Sequence, residues 1–310
     1  MKTFDTPILF IVFNRPERAS KVFESIRKIK PKKLFVSADA PRNNVKADVK
    51  LCQETRDILK RIDWDCKVYK KYNSKNLGCR MGVVSAIDWF FNNVEEGIIL
   101  EDDCLPNESF FRFTEDMLTR YRQDERVLQI CGTNAMGRWK EEDQSYFFSY
   151  YGSIWGWATW RRAWALNDID MKLWKNPLVK NGIKAIIPDP FQYLYRKYIY
   201  DISFEGKVDA WSYAWSFARL INSGLSIVPA VNLVKNLGFG KESSNTKSRI
   251  NAFSKLESVN MEFPLKDPEF VIADGLFDWK YFLKLAVYSK FYSLINLPLI
   301  LAERIFKKVS

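Results

Sequence analysis

Residues 97–106 read Gly-Ile-Ile-Leu-Glu-Asp-Asp-Cys-Leu-Pro. A short apolar run ends abruptly in three adjacent carboxylates, Glu101, Asp102 and Asp103, and Pro106 stops it. Such a run reads as a buried strand, Gly97 to Leu100, whose carboxyl end delivers acidic side chains to a surface crevice. In open α/β sheets ligands bind outside the carboxyl ends of the strands. Three clustered carboxylates repel one another, so a bound cation is their natural relief; the alternative is a solvated acidic turn.

The segments before this strand keep the same rhythm. Residues 7–13 (PILFIVF) form a continuous apolar strand, and Arg18 to Ile29 has helical spacing. Strands follow at Leu34 to Ala38 and Cys66 to Tyr72, with helices at Lys46 to Arg61, Cys79 to Asn93 and Ser109 to Arg122. Strands alternating with helices predict a mostly parallel α/β sheet covered on both faces. Beyond Gly132 the pattern changes. Residues 146–164 are dense in aromatics, helices are expected at 190–200 and 211–222, and a strand at Leu225 to Pro229. The polar stretch 238–251 reads as a mobile loop. The expected division is a nucleotide-sugar-binding half at 1–131, an acceptor half with the loop at 132–260, and a C-terminal helical segment at 261–310.

At 310 residues, 47% of them apolar, with eleven Trp and twenty-three Phe, the chain buries a sizeable core, which excludes disorder over most of its length. Its net charge of +11 suits a polyanionic partner: nucleic acid, an anionic membrane face or a phosphorylated small molecule. Basic and aromatic residues do not interleave as in a nucleic-acid module, so nucleic acid is disfavoured. Five scattered cysteines without zinc spacing imply reduced thiols and a cytoplasmic setting. The amino terminus lacks a signal-peptide pattern, and no apolar run reaches the ~18 residues that span a bilayer. The tail from Trp279 to Val309 mixes apolar residues with six Lys and Arg; it reads either as a segment lying on an anionic membrane or as helices packed on the domain. There is no histidine, so Ser-His-Asp and Cys-His dyads are absent and any general base is Asp, Glu, Lys, Tyr or Cys.

These constraints select a small set of candidates. Asp103 is the preferred direct ligand of Mn²⁺ or Mg²⁺, with Glu101 and Asp102 orienting a donor sugar. Arg15, after the first strand, and Arg80, at a helix start, suit phosphate, although either is equally at home as a surface charge. Asp39, after the second strand, reads as an acceptor for the imide N–H of uracil or as a turn residue. Asp209, before an aromatic helix, reads as a helix cap or as a base for a hydroxyl proton. Trp155 and Trp157 flank Gly156 and either present flat faces to a sugar or belong to the core.

Seven segments in order resemble the GT-A glycosyltransferases: PILFIVFNRPER (7–18), FVSADAPR (35–42), NLGCRMG (76–82), ILEDDCLP (99–106), GWATWRRAW (156–164), VDAWSYAW (208–215) and NLGFGKESSNT (236–246). The likeness is closest to bacterial family-2-like sugar transferases and more distantly to the N-acetylglucosaminyltransferase I type. It covers roughly residues 5–250 and implies a GT-A (Rossmann-like) fold. By position it makes Asp103 the metal ligand of an Asp-x-Asp-like element, with Glu101 and Asp102 contacting the donor. Asp39 becomes the base-recognising aspartate, Arg80 a nucleotide contact and Asp209 the base of inverting members. The loop after Gly238 becomes a lid over the nucleotide sugar. Many members carry a histidine in that loop, near Asn245 here; its metal or diphosphate contact is either missing in this chain or supplied by Lys241. The implied activity is an inverting, metal-dependent transfer from a nucleotide-diphosphate sugar, with UDP the expected nucleotide. The acceptor is a glycan or lipid-linked saccharide in surface-polysaccharide assembly at the inner face of the cytoplasmic membrane. A sugar-nucleotide nucleotidyltransferase and a non-enzymatic glycan-binding module are the alternatives. The first lacks its usual Gly-rich loop, because Asn14-Arg15-Pro16-Glu17 stands in that place.

Overall fold

The computed structural model describes residues 4–238 and 253–287. The chain opens β1 (Ile8–Val12), α1 (Pro16–Ile29), β2 (Lys33–Ala38), α2 (Lys46–Asp57), β3 (Lys67–Tyr72), α3 (Gly78–Phe91) and β4 (Glu96–Glu101). It continues with β5 (Cys104–Pro106), α4 (Glu108–Arg120), β6 (Val127–Cys131), β7 (Tyr146–Ser149), β8 (Trp157–Trp160) and α5 (Arg161–Trp164). The last described elements are α6 (Pro177–Ile186), α7 (Pro190–Phe204), α8 (Ser212–Ile221), β9 (Leu225–Pro229), β10 (Val234–Asn236) and α9 (Gly275–Val287).

The result is an α/β fold on one eight-stranded sheet, in the order β3-β2-β1-β4-β8-β6-β9-β7. β1, β2, β3 and β4 are mutually parallel, as the alternating pattern predicts. β8 runs antiparallel to both β4 and β6, and β7 antiparallel to β9, so the second half is mixed. β1 is apolar throughout because helices cover both its faces: Ile8, Leu9 and Phe10 are buried. α1 starts at Pro16, whose missing N–H costs nothing there, and buries Ala19, Val22, Phe23 and Ile26 at helical spacing. β3 is one edge strand, β7 the other, and the Lys67 and Lys70 of β3 deter pairing with another chain.

β1 leads to β2 and β3 on one side, while β4 joins on the other. The strand order therefore reverses between β1 and β4, and the crevice above such a reversal is where open α/β sheets take ligands. The acidic turn after β4 and the Asn14-Arg15 loop after β1 flank that point.

α9 packs back onto the body. Phe277 joins a cluster with Cys131, Phe147 and Val228, while Phe282 and Ala286 join one with Tyr151, Tyr195 and Tyr200. The described part of the basic tail is thus protein-packed: Lys284 donates to the Ala135 carbonyl at 2.5 Å, and Lys280 lies 5.0 Å from the Trp139 ring centroid. The rest of the tail lies outside the described residues. Among those described, no helix is long and apolar enough to cross a membrane.

Candidate functional site

Arg15 connects the two walls of the crevice. Its Nη1 donates to Asp102 Oδ1 at 3.2 Å and to Asp103 Oδ2 at 3.0 Å. Asp102 Oδ2 accepts the Phe13 amide at 3.0 Å, which ties the acidic turn to the end of β1. Burial pushes Asp102 up to about 6, with Arg15 working against it. Burial, then the charges of Asp103 and Asp102, push Glu101 up to about 8. Burial would pull Arg15 down, but Asp102 and Asp103 outweigh it and its guanidinium is held above its usual range. One fixed cation thus stabilises two carboxylates, while Glu101 favours its neutral acid, a donor as well as an acceptor at pH 7.

Asp103 is clamped from behind. β10 pairs with β5, and the Leu237 amide donates to the Asp103 carbonyl at 2.7 Å. A Cβ on Gly238 would fall 2.5 Å from Asp103 Oδ2, so a larger residue there would require the Asp103 carboxylate to shift. Asp103 Oδ1 receives the Cys104 thiol at 3.5 Å. Among the described residues no three His, Cys, Asp or Glu side chains are grouped to hold a metal. A divalent ion here would have Asp103 as its protein ligand and would not be enclosed by protein.

Two carboxylates meet the amino end of α3. Asp39 Oδ1 accepts from the Ala40 amide (3.0 Å), Asn73 Nδ2 (3.0 Å) and the Leu77 amide (3.1 Å). Its Oδ2 accepts from the Leu77 and Gly78 amides at 2.9 and 3.2 Å. Asp209 Oδ2 and Oδ1 accept from the Cys79 and Arg80 amides at 3.2 and 3.0 Å. Asp209 therefore caps α3, not the α8 helix that follows it in sequence, and it remains exposed. Cys79 shares one crevice with the acidic turn. Solvent reaches it, yet the surrounding walls and the charges of Glu101 and Asp209 push its thiol up to about 12, with Arg15 opposing.

Several sequence expectations need correction. The α3 amino end is not open to phosphate, because Asp209 already fills it. Arg80 turns away from the carboxylates: its Nη2 donates to the Ile169 carbonyl at 2.6 Å. Asp39 has about four lone-pair sites and four donors on them, the Leu77 amide being shared by both oxygens, so its carboxylate fixes the 76–78 turn and its sites are filled without a uracil imide. Trp157 is no sugar platform. It is fully buried, stacked on Trp211 at 5.7 Å and 24°, with Trp164 and Trp215 alongside. Gly156, at φ +62°, permits close approach of Val234, not of a ligand. Lys241 and most of the loop after Gly238 lie outside the described residues.

Asp48 is a positioning residue that sequence reading misses. Its buried carboxylate accepts from Arg42 Nε (2.6 Å), Arg42 Nη2 (2.9 Å), the Arg42 amide (3.2 Å) and Asn14 Nδ2 (2.8 Å). It thereby ties the loop after β2 to the residue beside Arg15. An Asp in the first turn of α2 looks like ordinary dipole matching, and only the polar Asp39–Asn43 loop hints that a partner is needed.

No protein-family model and no curated protein sequence matches the chain. Solved structures do resemble it. The mannosyltransferase PcManGT from Pyrobaculum calidifontis, in complex with GDP-Man and Mn²⁺, is 14% identical, with 70% of each chain covered and a TM-score of 0.35. A UDP-glucose pyrophosphorylase in its apo form is 7% identical over 75% of this chain and 93% of that one, with a TM-score of 0.37. HddC from Yersinia pseudotuberculosis is 10% identical over 51% and 77%, with a TM-score of 0.32. Likeness at this level says nothing of what this chain binds or does.

Proposed function

We propose that this protein transfers a sugar, with inversion, from a nucleotide-diphosphate sugar to a hydroxyl of a glycan or lipid-linked saccharide. One observation carries the reading: Arg15 and the Glu101–Asp103 turn meet at the strand-order reversal between β1 and β4, and Asp209 is held on the Cys79 and Arg80 amides at the start of α3. A divalent ion on Asp103, Mn²⁺ or Mg²⁺, supplies charge neutralisation for the departing diphosphate. Arg15 adds a second positive charge on that side. Asp102 fixes Arg15, and Glu101 contacts the donor sugar. Asp209 takes the acceptor's hydroxyl proton. Each of its oxygens accepts one backbone amide, which orients the carboxylate and leaves lone pairs for the substrate. One base and no covalent intermediate give inversion. UDP is the nucleotide we favour, and the cytoplasmic membrane face the place of action.

Asp209→Asn tests the assignment. Asn still accepts one α3 amide, so nucleotide uptake measured by calorimetry stays within a few-fold of the parent while nucleoside diphosphate release falls by about 10²–10⁴. Near-normal turnover removes Asp209 as the base. Pyrophosphate in place of a nucleoside diphosphate as product would instead identify a nucleotidyltransferase.

A further inference from the structure

Behind Asp39, on the α2 side of the sheet, lies a second cleft of ≈ 290 Å³, lined by Gln53, Arg56, Asp57, Lys60, Lys70 and Tyr72. Tyr72 ends the edge strand and is 41% exposed. The Arg56 guanidinium sits 4.8 Å from its ring centroid. Arg56 makes no ion pair with any described residue. Its Nη2 donates to the Asp39 carbonyl at 3.0 Å, and its buried Nε has no acceptor among the described residues. A half-buried arginine without a carboxylate is an incomplete arrangement, because a charged donor prefers an anionic acceptor. Lys60 is paired with Asp57 at 3.0 Å, whereas Lys70 is exposed. Gln53 donates to Asp57 at 2.8 Å, which aligns an amide and a carboxylate as hydroxyl partners.

We infer that this cleft binds an acidic saccharide. The apolar face of a sugar ring lies on Tyr72, its acid group meets Arg56 and Lys70, and its hydroxyls meet Gln53 and Asp57. Three cations against one carboxylate favour an anion. The flat ring beside them favours a ligand with an apolar face over a bare ion, and the polar rim rejects a purely apolar one. The choice of a saccharide rests on the transferase reading. A glycan chain held here, one hydrogen bond away from Asp39, raises its own effective concentration at the crevice.

Calorimetry on the full chain with a hexuronate trisaccharide, its neutral hexose counterpart and inorganic phosphate tests this. The hexuronate is expected to bind, roughly tenfold more tightly than the neutral sugar, and to weaken about tenfold in Tyr72→Ala and in Lys70→Glu. Tyr72→Phe keeps the ring and keeps the affinity. Nucleoside diphosphate uptake at the crevice stays unchanged in all three variants, which also shows that they fold. Absence of hexuronate binding, equal binding of the neutral sugar, or indifference to Tyr72→Ala overturns the proposal, as does phosphate binding with the hexuronate's affinity. Because nucleotide uptake is read separately, such a failure leaves the transferase reading standing.

Discussion

Replacing Asp48 by Asn removes the charge on which the loops after β1 and β2 converge. In the folded protein the Arg42 hydrogen bonds, helped by Asn14 and opposed by burial, hold this carboxyl at about 2 against an ordinary 3.8. That interval, at about 1.4 kcal/mol per pH unit, corresponds to roughly 2.4 kcal/mol of stabilisation of the charged form. Arg42 is 49% exposed although Asp48 is buried, so solvent screening trims the effect to about 1.5–2 kcal/mol. Because the folded value lies below the unfolded one, this stability is present above pH 3.8 and fades as pH falls towards 2. Urea unfolding of parent and Asp48→Asn at pH 7, 4 and 2.5 measures it. The expected gap is about 1.5–2 kcal/mol at pH 7 and about a third of that at pH 2.5, just above the folded value. A gap under about 0.5 kcal/mol at pH 7, or one that persists undiminished at pH 2.5, refutes the view that a charge-assisted Arg42–Asp48 pair holds these loops.

Two further substitutions separate the crevice from the core. Arg15→Gln leaves Asp102 and Asp103 without that cation and destabilises by about 2–3 kcal/mol at pH 8. The loss is much smaller at pH 5, because Asp102 and Glu101 have raised values and carry their charge penalty only as pH climbs through about 6 and about 8; thermal melts at the two pH values check this. Trp157→Ala is expected to cost about 3–5 kcal/mol by opening a cavity among Trp164, Trp211 and Trp215, seen in urea unfolding as a lower midpoint with an unchanged slope. A stable variant with weakened sugar binding would return Trp157 to the site.

The parallel half was legible because its signals are local. A run such as PILFIVF has one reading when followed by a helical repeat, and the observed β1, β2, β3 and β4 fall within a residue or two of their expected bounds. The acidic turn was legible for the same reason, since it ends a strand. What escaped was every feature set by distant contacts. β8 enters the sheet between β4 and β6, turning an aromatic segment that resembles a binding surface into the core. Trp157 carries the same composition either way, and only the arrival of α8, with Trp211 and Trp215, decides its fate. Arg80 sits at a helix start as phosphate ligands do, but its side chain answers to Ile169, 89 residues away.

The α3 amino end shows how these distant contacts build the crevice. A helix leaves its first four N–H groups without partners of its own. Here Leu77 and Gly78 are satisfied by Asp39 from the end of β2, and Cys79 and Arg80 by Asp209 from a segment 130 residues further on. Two carboxylates thus complete one helix turn and complement its positive end, each worth about 0.5–2 kcal/mol as a cap. The arrangement relocates the chemistry. On the proposed reading, a diphosphate would find no free amides on α3 and would be left to Arg15 and to a cation held by Asp103, at the reversal between β1 and β4. Asp209, in turn, is placed by a helix that Asp39 holds against the end of β2. The sheet, through two side chains and one helix turn, sets where the proposed base stands relative to the acidic turn it must work with.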